Sequence, residues 1–370
     1  MVWSKPFCLW YSQYMQNLLD TFSQLVSLDS VSYEEDQITL FLETALLQAG
    51  LHTEYDDGGN LYGFLPGKDK TILLNAHMDT VDLARGARVV EDGAILRSDG
   101  TTALGADDKA ALAAILVALD TIKQNEADHP SIVVLFTRSE ELGLVGARSI
   151  DVGKLASVSY GFTFDASGPV GGAVSAAPSQ DKIEAIFHGK GAHAGFKPEN
   201  GISAIQMASQ AVSSMHLLRV DEETTANVGS FIAPGAKNIV CDKATLVFEA
   251  RSLDPNKLAA QSSSMIDAMR SAAKAYGGSV DITHEHQYEA YHHGEDAAVL
   301  KYFKQACEKV ALPFGLESTL GGSDANVLNK MGIETLACTS GYEEPHTKNE
   351  YIPKKELENL FSLILELITL

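Results

Sequence analysis

The chain has 370 residues, 28 basic and 49 acidic, for a formal charge of −21, with 45% hydrophobic and 21% charged residues. This composition excludes wholesale disorder, and the length suggests two domains, each able to bury its own core. The acidic balance provides no basic stripe for nucleic acid or for anionic lipid, so neither is expected as a partner.

Cys8, Cys241, Cys307 and Cys338 are scattered without a close pair, which reads as a reduced, cytoplasmic chain and not a disulfide scaffold. The N-terminal stretch lacks the long apolar segment of a signal peptide. The longest clean apolar run, Ala110–Leu119, is ten residues, half of a membrane span.

Helices and buried strands alternate at first. Met15–Val26 and Glu34–Ala49 read as helices and Thr71–Ala76 (TILLNA) as a buried strand. Asp107–Lys123 follows as an alanine-rich helix, and Ser131–Thr137 (SIVVLFT) and Tyr160–Phe164 as further buried strands. Continuous apolar strands separated by helices imply a sheet covered on both faces. From about Gln180 the pattern changes. Asp181–Phe187, Ala244–Ala250 and Val280–Tyr288 alternate with period two, and Ile202–Leu218 and Asn256–Tyr276 read as helices. Ala297–Val310 (helix), Glu334–Thr339 (buried strand) and Lys354–Leu370 (helix) then restore the first pattern. The expected architecture is α/β, a mixed sheet with helices on both faces built from residues 1–179 and 291–370. A smaller α+β sandwich domain, residues 180–290, is inserted into it.

Candidate chemistry collects just past the C-terminal ends of the apolar strands, the edge where open α/β sheets bind ligands. His77 and Asp79 follow TILLNA, and in an extended stretch they point the same way. A carboxylate placed so can hold the second nitrogen of a metal-ligating imidazole, although the pair alone reads more readily as a capped strand end with a satisfied histidine. Asp107 and Asp108 open the alanine-rich helix, a place that also favours acids for electrostatic reasons alone. Glu140 and Glu141 follow SIVVLFT; one could ligate a metal while the other works as a general base. Asp165 ends the strand from Tyr160, and His346 lies a few residues past the strand ending at Thr339. Together, two histidines and these carboxylates at one sheet edge are a plausible ligand set for two divalent ions of the zinc type.

The segments His77-x-Asp79, Gly105-x-Asp107-x-Lys109, Glu140-Glu141-x-Gly143, Asp165 and His346 resemble the co-catalytic zinc peptidase family M20, which includes peptidase T, carboxypeptidase G2 and aminoacylase-1. Asn75–Val81 and Leu104–Lys109 look closest to its peptidase T-like subgroup, tripeptide aminopeptidases. The resemblance implies a zinc-exopeptidase-like catalytic domain with an inserted lid and dimerisation domain. It implies two Zn2+ per subunit, with Co2+ or Mn2+ as substitutes. His77 and Asp165 would bind one ion, Glu141 and His346 the other, and Asp107 both. Asp79 would orient His77, and Glu140 would be the general base. Gly191–Gly195 resembles the family's Gly-x-x-His-x-Gly turn, so His193 would help stabilise the oxyanion, in a homodimer from the partner subunit. Asn238 and Arg251 sit where relatives contact substrate, and Gly321–Ala325 resembles a glycine-rich substrate loop. Residues 1–14 match no part of the family pattern and read as a leader or a mis-set start. His284-x-His286 and His292-His293 fall outside the ligand set and read as polar positions on a strand and a turn.

The expected activity is hydrolysis of short peptides. Deacylation of N-acyl amino acids and dipeptidase or carboxypeptidase action are the alternatives within enzymes, and a metal-stabilised binding module is the alternative outside them. No G-x-S-x-G elbow and no phosphate-binding G-x-x-x-x-G-K-[ST] loop is present.

Overall fold

The structure, a computed structural model, describes the backbone of residues 7–370 and the side chains from Tyr14 onward. Cys8 and the expected N-terminal leader therefore lie largely outside the described residues. The chain divides into two compact units. The larger comprises residues 1–175, 293–318 and 323–370; the smaller comprises 176–292 and 319–322.

The larger unit opens with helices α1 (Phe7–Ser27) and α2 (Asp36–Ala49). The hairpin of β1 (His52–Tyr55) and β2 (Leu61–Leu65) leads into β3 (Lys68–His77). Short strands β4 (Val90–Asp92) and β5 (Ile95–Arg97) precede α3 (Ala106–Gln124). Then come β6 (Pro130–Thr137), β7 (Tyr160–Ala166) and β8 (Gly172–Ala177). The smaller unit holds β9 (Ser179–His188), α4 (Ala204–Ser213), β10 (Leu218–Arg219), β11 (Thr224–Ile232), β12 (Lys243–Ser252), α5 (Pro255–Tyr276), β13 (Ser279–Tyr288) and β14 (Tyr291–His292). The chain ends with α6 (Ala298–Lys309), β15 (Gly315–Ser318), α7 (Asp324–Lys330), β16 (Thr335–Thr339), β17 (Tyr351–Pro353) and α8 (Lys354–Leu367).

The main sheet runs in the order β1-β2-β6-β3-β7-β16-β8. Strands β6, β3, β7 and β16 are parallel, while β2 and β8 join antiparallel, so the sheet is mixed as expected. Its centre reads as unbroken apolar runs because both faces are covered. The register pairs His77 with Thr137 and Asn75 with Thr163, which brings the C-terminal ends of β3, β6 and β7 side by side. Helix α3 is buried along nearly its whole length. Its small Ala110, Ala111, Ala113 and Ala114 are fully buried, within one core with Leu18 and Phe22 of α1 and Leu360 and Ile364 of α8.

The smaller unit has a five-stranded sheet, β10-β11-β12-β9-β13. Period-two alternation buries Ile183, Ala185 and Phe187 of β9 and Leu246, Phe248 and Ala250 of β12 in one core with Met207 of α4 and Met265 and Met269 of α5. Two differences from the sequence reading have local causes. The helix expected over 202–218 stops at Ser213, where the hydroxyls of Ser213 and Ser214 both bond back to the Gln210 carbonyl, at 3.0 and 2.8 Å. Strand β11 escapes detection because only Thr224 and Ala226 are buried, so it carries no apolar alternation.

Candidate active site

His77 ends β3 and is buried, which fixes its ring. Its Nδ1 donates to the Asp79 backbone carbonyl at 2.9 Å, with Asp79 Oδ1 farther off at 3.4 Å. Orientation of the imidazole thus comes first from the backbone of Asp79 and only second from its carboxylate. The other nitrogen, Nε2, faces Asp107 Oδ1 at 3.1 Å and Asp165 Oδ1 at 3.7 Å.

Asp107 stands at the start of α3, and its two oxygens face different imidazoles. Oδ1 meets His77, while Oδ2 lies 3.2 Å from His346 Nε2. His346 in turn lies 2.9 Å from Glu141 Oε1, a buried oxygen otherwise without a hydrogen-bond donor. His77, Asp107 and Glu141 offer ligand atoms all within 4.8 Å of one another, and so do His77, Glu140 and Asp165. His77, Asp107, Glu140, Glu141, Asp165 and His346 are therefore gathered in one place. Imidazoles alternating with carboxylates are the donor set that divalent ions of the zinc type take. Glu140 stands within ligand distance too, on the Asp165 side.

The glutamate pair rides on a turn after β6. Asp79 Oδ1 accepts from the Glu140 N–H at 2.9 Å and Oδ2 from the Glu141 N–H at 3.3 Å. Asp79 thus serves the turn as much as it serves His77.

Several buried acids support the site, two of them, Asp108 and Asp324, from stretches that the sequence already marks. Glu350 accepts from the N–H groups of Gly105 and Asp107, at 2.8 and 3.1 Å, and so braces the turn that presents Asp107. Asp108, joined to Asp107 by a cis peptide, accepts from the His77 N–H at 3.2 Å. Asp324 accepts from Asn75 Nδ2 at 3.1 Å and from the Thr137 hydroxyl. Glu35 accepts from Arg138 and Ser139. No local signal in the sequence points to Glu350, whose partners lie more than 240 positions away.

Electrostatics follow from this crowding. Burial pushes Asp165 up to about 7 despite the nearby His77. Burial also raises Glu140, where the Asp165 charge adds to it, and Glu141. Burial would raise Asp107 likewise, but His346 and His77 outweigh it and hold that carboxyl well below the usual range. Hydrogen bonds to Asp107 and Glu141 lift His346 to about 10. Burial opposes protonation of His77, yet Asp107, Asp165 and Asp79 raise it well above the ordinary histidine value. Without a cation Asp165, Glu140, Glu141 and His346 favour their protonated forms more than they would in water, and a cation entering the cluster would displace protons.

Asp165, Glu140, Glu141 and His346 all bind protons more tightly in the folded state than in the unfolded one, so raising the pH removes stability. For His346 the contribution is complete below about 6.5 and is lost toward about 10; for Asp165 it is lost as pH passes about 7. His346 is half exposed, so solvent screens its share. Chelator-treated protein is expected to show a Tm that falls steadily between pH 6 and pH 9 in differential scanning calorimetry. A flat or rising Tm over that interval would contradict tighter proton binding by the folded cluster.

His193, Asn238 and Arg251 all lie on the smaller unit. His193 Nδ1 accepts from the N–H groups of Gly195 and Phe196, at 3.2 and 3.1 Å, which places its ring proton on the outward Nε2. The Asn238 carbonyl accepts from the Ala194 N–H at 2.9 Å and ties Asn238 to the same turn. Arg251 sits apart on β12, gripping Glu249 Oε2 through Nη2 at 2.9 Å and the Leu320 carbonyl through Nη1 at 3.2 Å. His284 and His286 close on the buried Asp181 instead, at 2.7 and 2.8 Å.

A parallel-centred sheet thus gathers histidines and acids at its strand ends into a group able to hold metal. The chain belongs to Peptidase family M20/M25/M40, whose profile matches residues 73–370. It is a peptidase, similar to the peptidase T-like members. It is 40% identical to the Bacillus subtilis protein YqjE, over 95% of this chain and 98% of that one. The crystal structure of aminopeptidase PepT from Bacillus cereus matches with 39% identity and a TM-score of 0.83, over 96% of this chain and 98% of the other. A tripeptidase from Staphylococcus aureus matches with 37% identity and a TM-score of 0.89, over the same shares of the two chains, 96% and 98%. Among the described residues no helix is long and apolar enough to cross a membrane.

Proposed function

We propose that the chain is a dinuclear zinc exopeptidase that removes the N-terminal residue from short peptides, tripeptides above all. The observation that carries this reading is Asp107, whose two oxygens separate His77 from His346 at 3.1 and 3.2 Å. One carboxylate set between two imidazoles is what a pair of ions sharing a ligand requires. His77 and Asp165 would hold one ion, Glu141 and His346 the other, with Co2+ or Mn2+ able to substitute. When bound, such ions supply Lewis acidity to the scissile carbonyl and acidify the attacking water.

The protein's own groups do the rest. Glu140 takes a proton from the water and returns it to the leaving amine. Asp79 holds both the His77 ring and the N–H groups of Glu140 and Glu141 in place. Arg251 offers a planar fork for a peptide's terminal carboxylate, exchanging Glu249 for it. His193 and Asn238 would assist the oxyanion and the substrate backbone, His193 across a homodimer formed through the smaller unit. The resemblance to an aminopeptidase and a tripeptidase at more than 35% identity supports the substrate class. A cytoplasmic location suits the scattered cysteines.

The test is a panel of tripeptides, dipeptides and N-acyl amino acids assayed before and after chelation, with metal counted by elemental analysis. Release of free N-terminal residues from tripeptides, abolished by chelation and restored by zinc, is the expected result. Turnover confined to N-acyl amino acids would replace aminopeptidase action by deacylation. Tight metal with no turnover on any substrate would leave a binding module.

A further inference from the structure

The turn that carries Glu140 and Glu141 is held from beneath by a segment that the chemistry above does not use. Glu35, immediately before α2, is completely buried. Its Oε2 accepts from Arg138 Nη2 at 2.7 Å and Nε at 3.3 Å. Its Oε1 accepts from the Ser139 N–H at 3.0 Å and the Ser139 hydroxyl at 2.8 Å. A carboxylate has room for about four donors, and here all of them come from two adjacent residues of one turn. Ser139 itself sits at φ 48 and ψ 43, left-handed for a residue with a side chain, a conformation that persists when the surroundings impose it. Glu35 and its neighbours are those surroundings.

The same segment reaches the glutamates by a second path. The Tyr33 N–H donates to the Ser139 hydroxyl at 3.2 Å, and the Ser32 hydroxyl donates to Asp79 Oδ2 at 2.6 Å. Asp79 is the acid that accepts from the Glu140 and Glu141 N–H groups. Residues 32–35 thus fix the glutamate turn both through Ser139 and through Asp79.

We propose that Glu35 is a positioning residue for the reaction: by clamping Arg138 and Ser139 it sets where the Glu140 and Glu141 carboxylates stand beside His77, Asp107 and Asp165. The inference rests on the peptidase reading of that cluster. It touches no substrate and acts only through the turn.

Glu35→Gln is the discriminating variant. It keeps the size and can still accept from Ser139, but it sets an amide against the Arg138 guanidinium. Per folded molecule, fixed by circular dichroism, kcat for a tripeptide is expected to fall about 10- to 100-fold, the scale for groups that orient reacting or ligating side chains. KM should move less than about twofold, since the loss falls on the chemical step. Zinc affinity, read by competition with a chromophoric chelator, should weaken about tenfold because Glu141 shares the turn. Ser139→Ala, which keeps the backbone donor and loses the hydroxyl, should shift the same quantities in the same direction by less. Wild-type kcat and zinc affinity in Glu35→Gln would overturn the proposal. So would losses fully explained by the unfolded fraction. If the wild-type protein binds zinc yet cleaves no tripeptide, the function reading fails, while the zinc affinities still decide whether Glu35 positions Glu141.

Discussion

Glu140→Gln is expected to retain its metal and to lose roughly 10²–10⁴-fold in kcat, the usual contribution of a positioned proton carrier. The amide matches the carboxylate in size, so the turn and its bonds from Glu140 and Glu141 to Asp79 are kept. What disappears is the capacity to take a proton. The surroundings favour that capacity in the acid: burial, then the Asp165 charge, raise Glu140 well above the ordinary glutamate value. Because Glu140 also stands within ligand distance of His77 and Asp165, the metal count is part of the measurement. Retained metal with a kcat near wild type would remove Glu140 from the chemistry; lost metal would make it a ligand instead.

Asp107→Asn is expected to hold no more than one tightly bound ion per chain and to lose activity beyond the 10- to 100-fold typical of outer-shell changes. The neutral amide keeps a single acceptor oxygen where two separate imidazoles now each face one. It also removes the negative charge that helps lift His346 to about 10. Elemental analysis against protein concentration, together with kcat, checks both parts. Two ions per chain in the variant would show that Asp107 is not shared.

Most of the ligand-type residues are legible in the sequence because they follow a stretch of buried strand, and the parallel register then aligns the ends, while Asp107 is legible as one of two acids that open the alanine-rich helix. His77 falls opposite Thr137, so Glu140 and Glu141 arrive next to it. The residues that steady them are not legible. Glu35 lies beside Glu34 just ahead of a helix, where acids are common for helix-dipole reasons. Glu350 reads as an ordinary loop acid, and Asp324 as a member of the glycine-rich stretch Gly321–Ala325 with nothing to mark it as a bracing acid. Their importance comes from partners about 100 to 250 positions away, such as Ser139 for Glu35 and Asn75 for Asp324, and no local pattern encodes such distances. Strands β1, β4, β5 and β17 pass unnoticed for a different reason: they are short and half exposed, too brief to establish a period.

The cluster draws its first member from residue 77 and its last from 346, with Glu350 bracing from farther on still. A growing chain emerges from the ribosome N-terminal end first. A product that stops short of residue 346 lacks the full constellation. The cluster is therefore assembled only after the segment carrying His346 has been made.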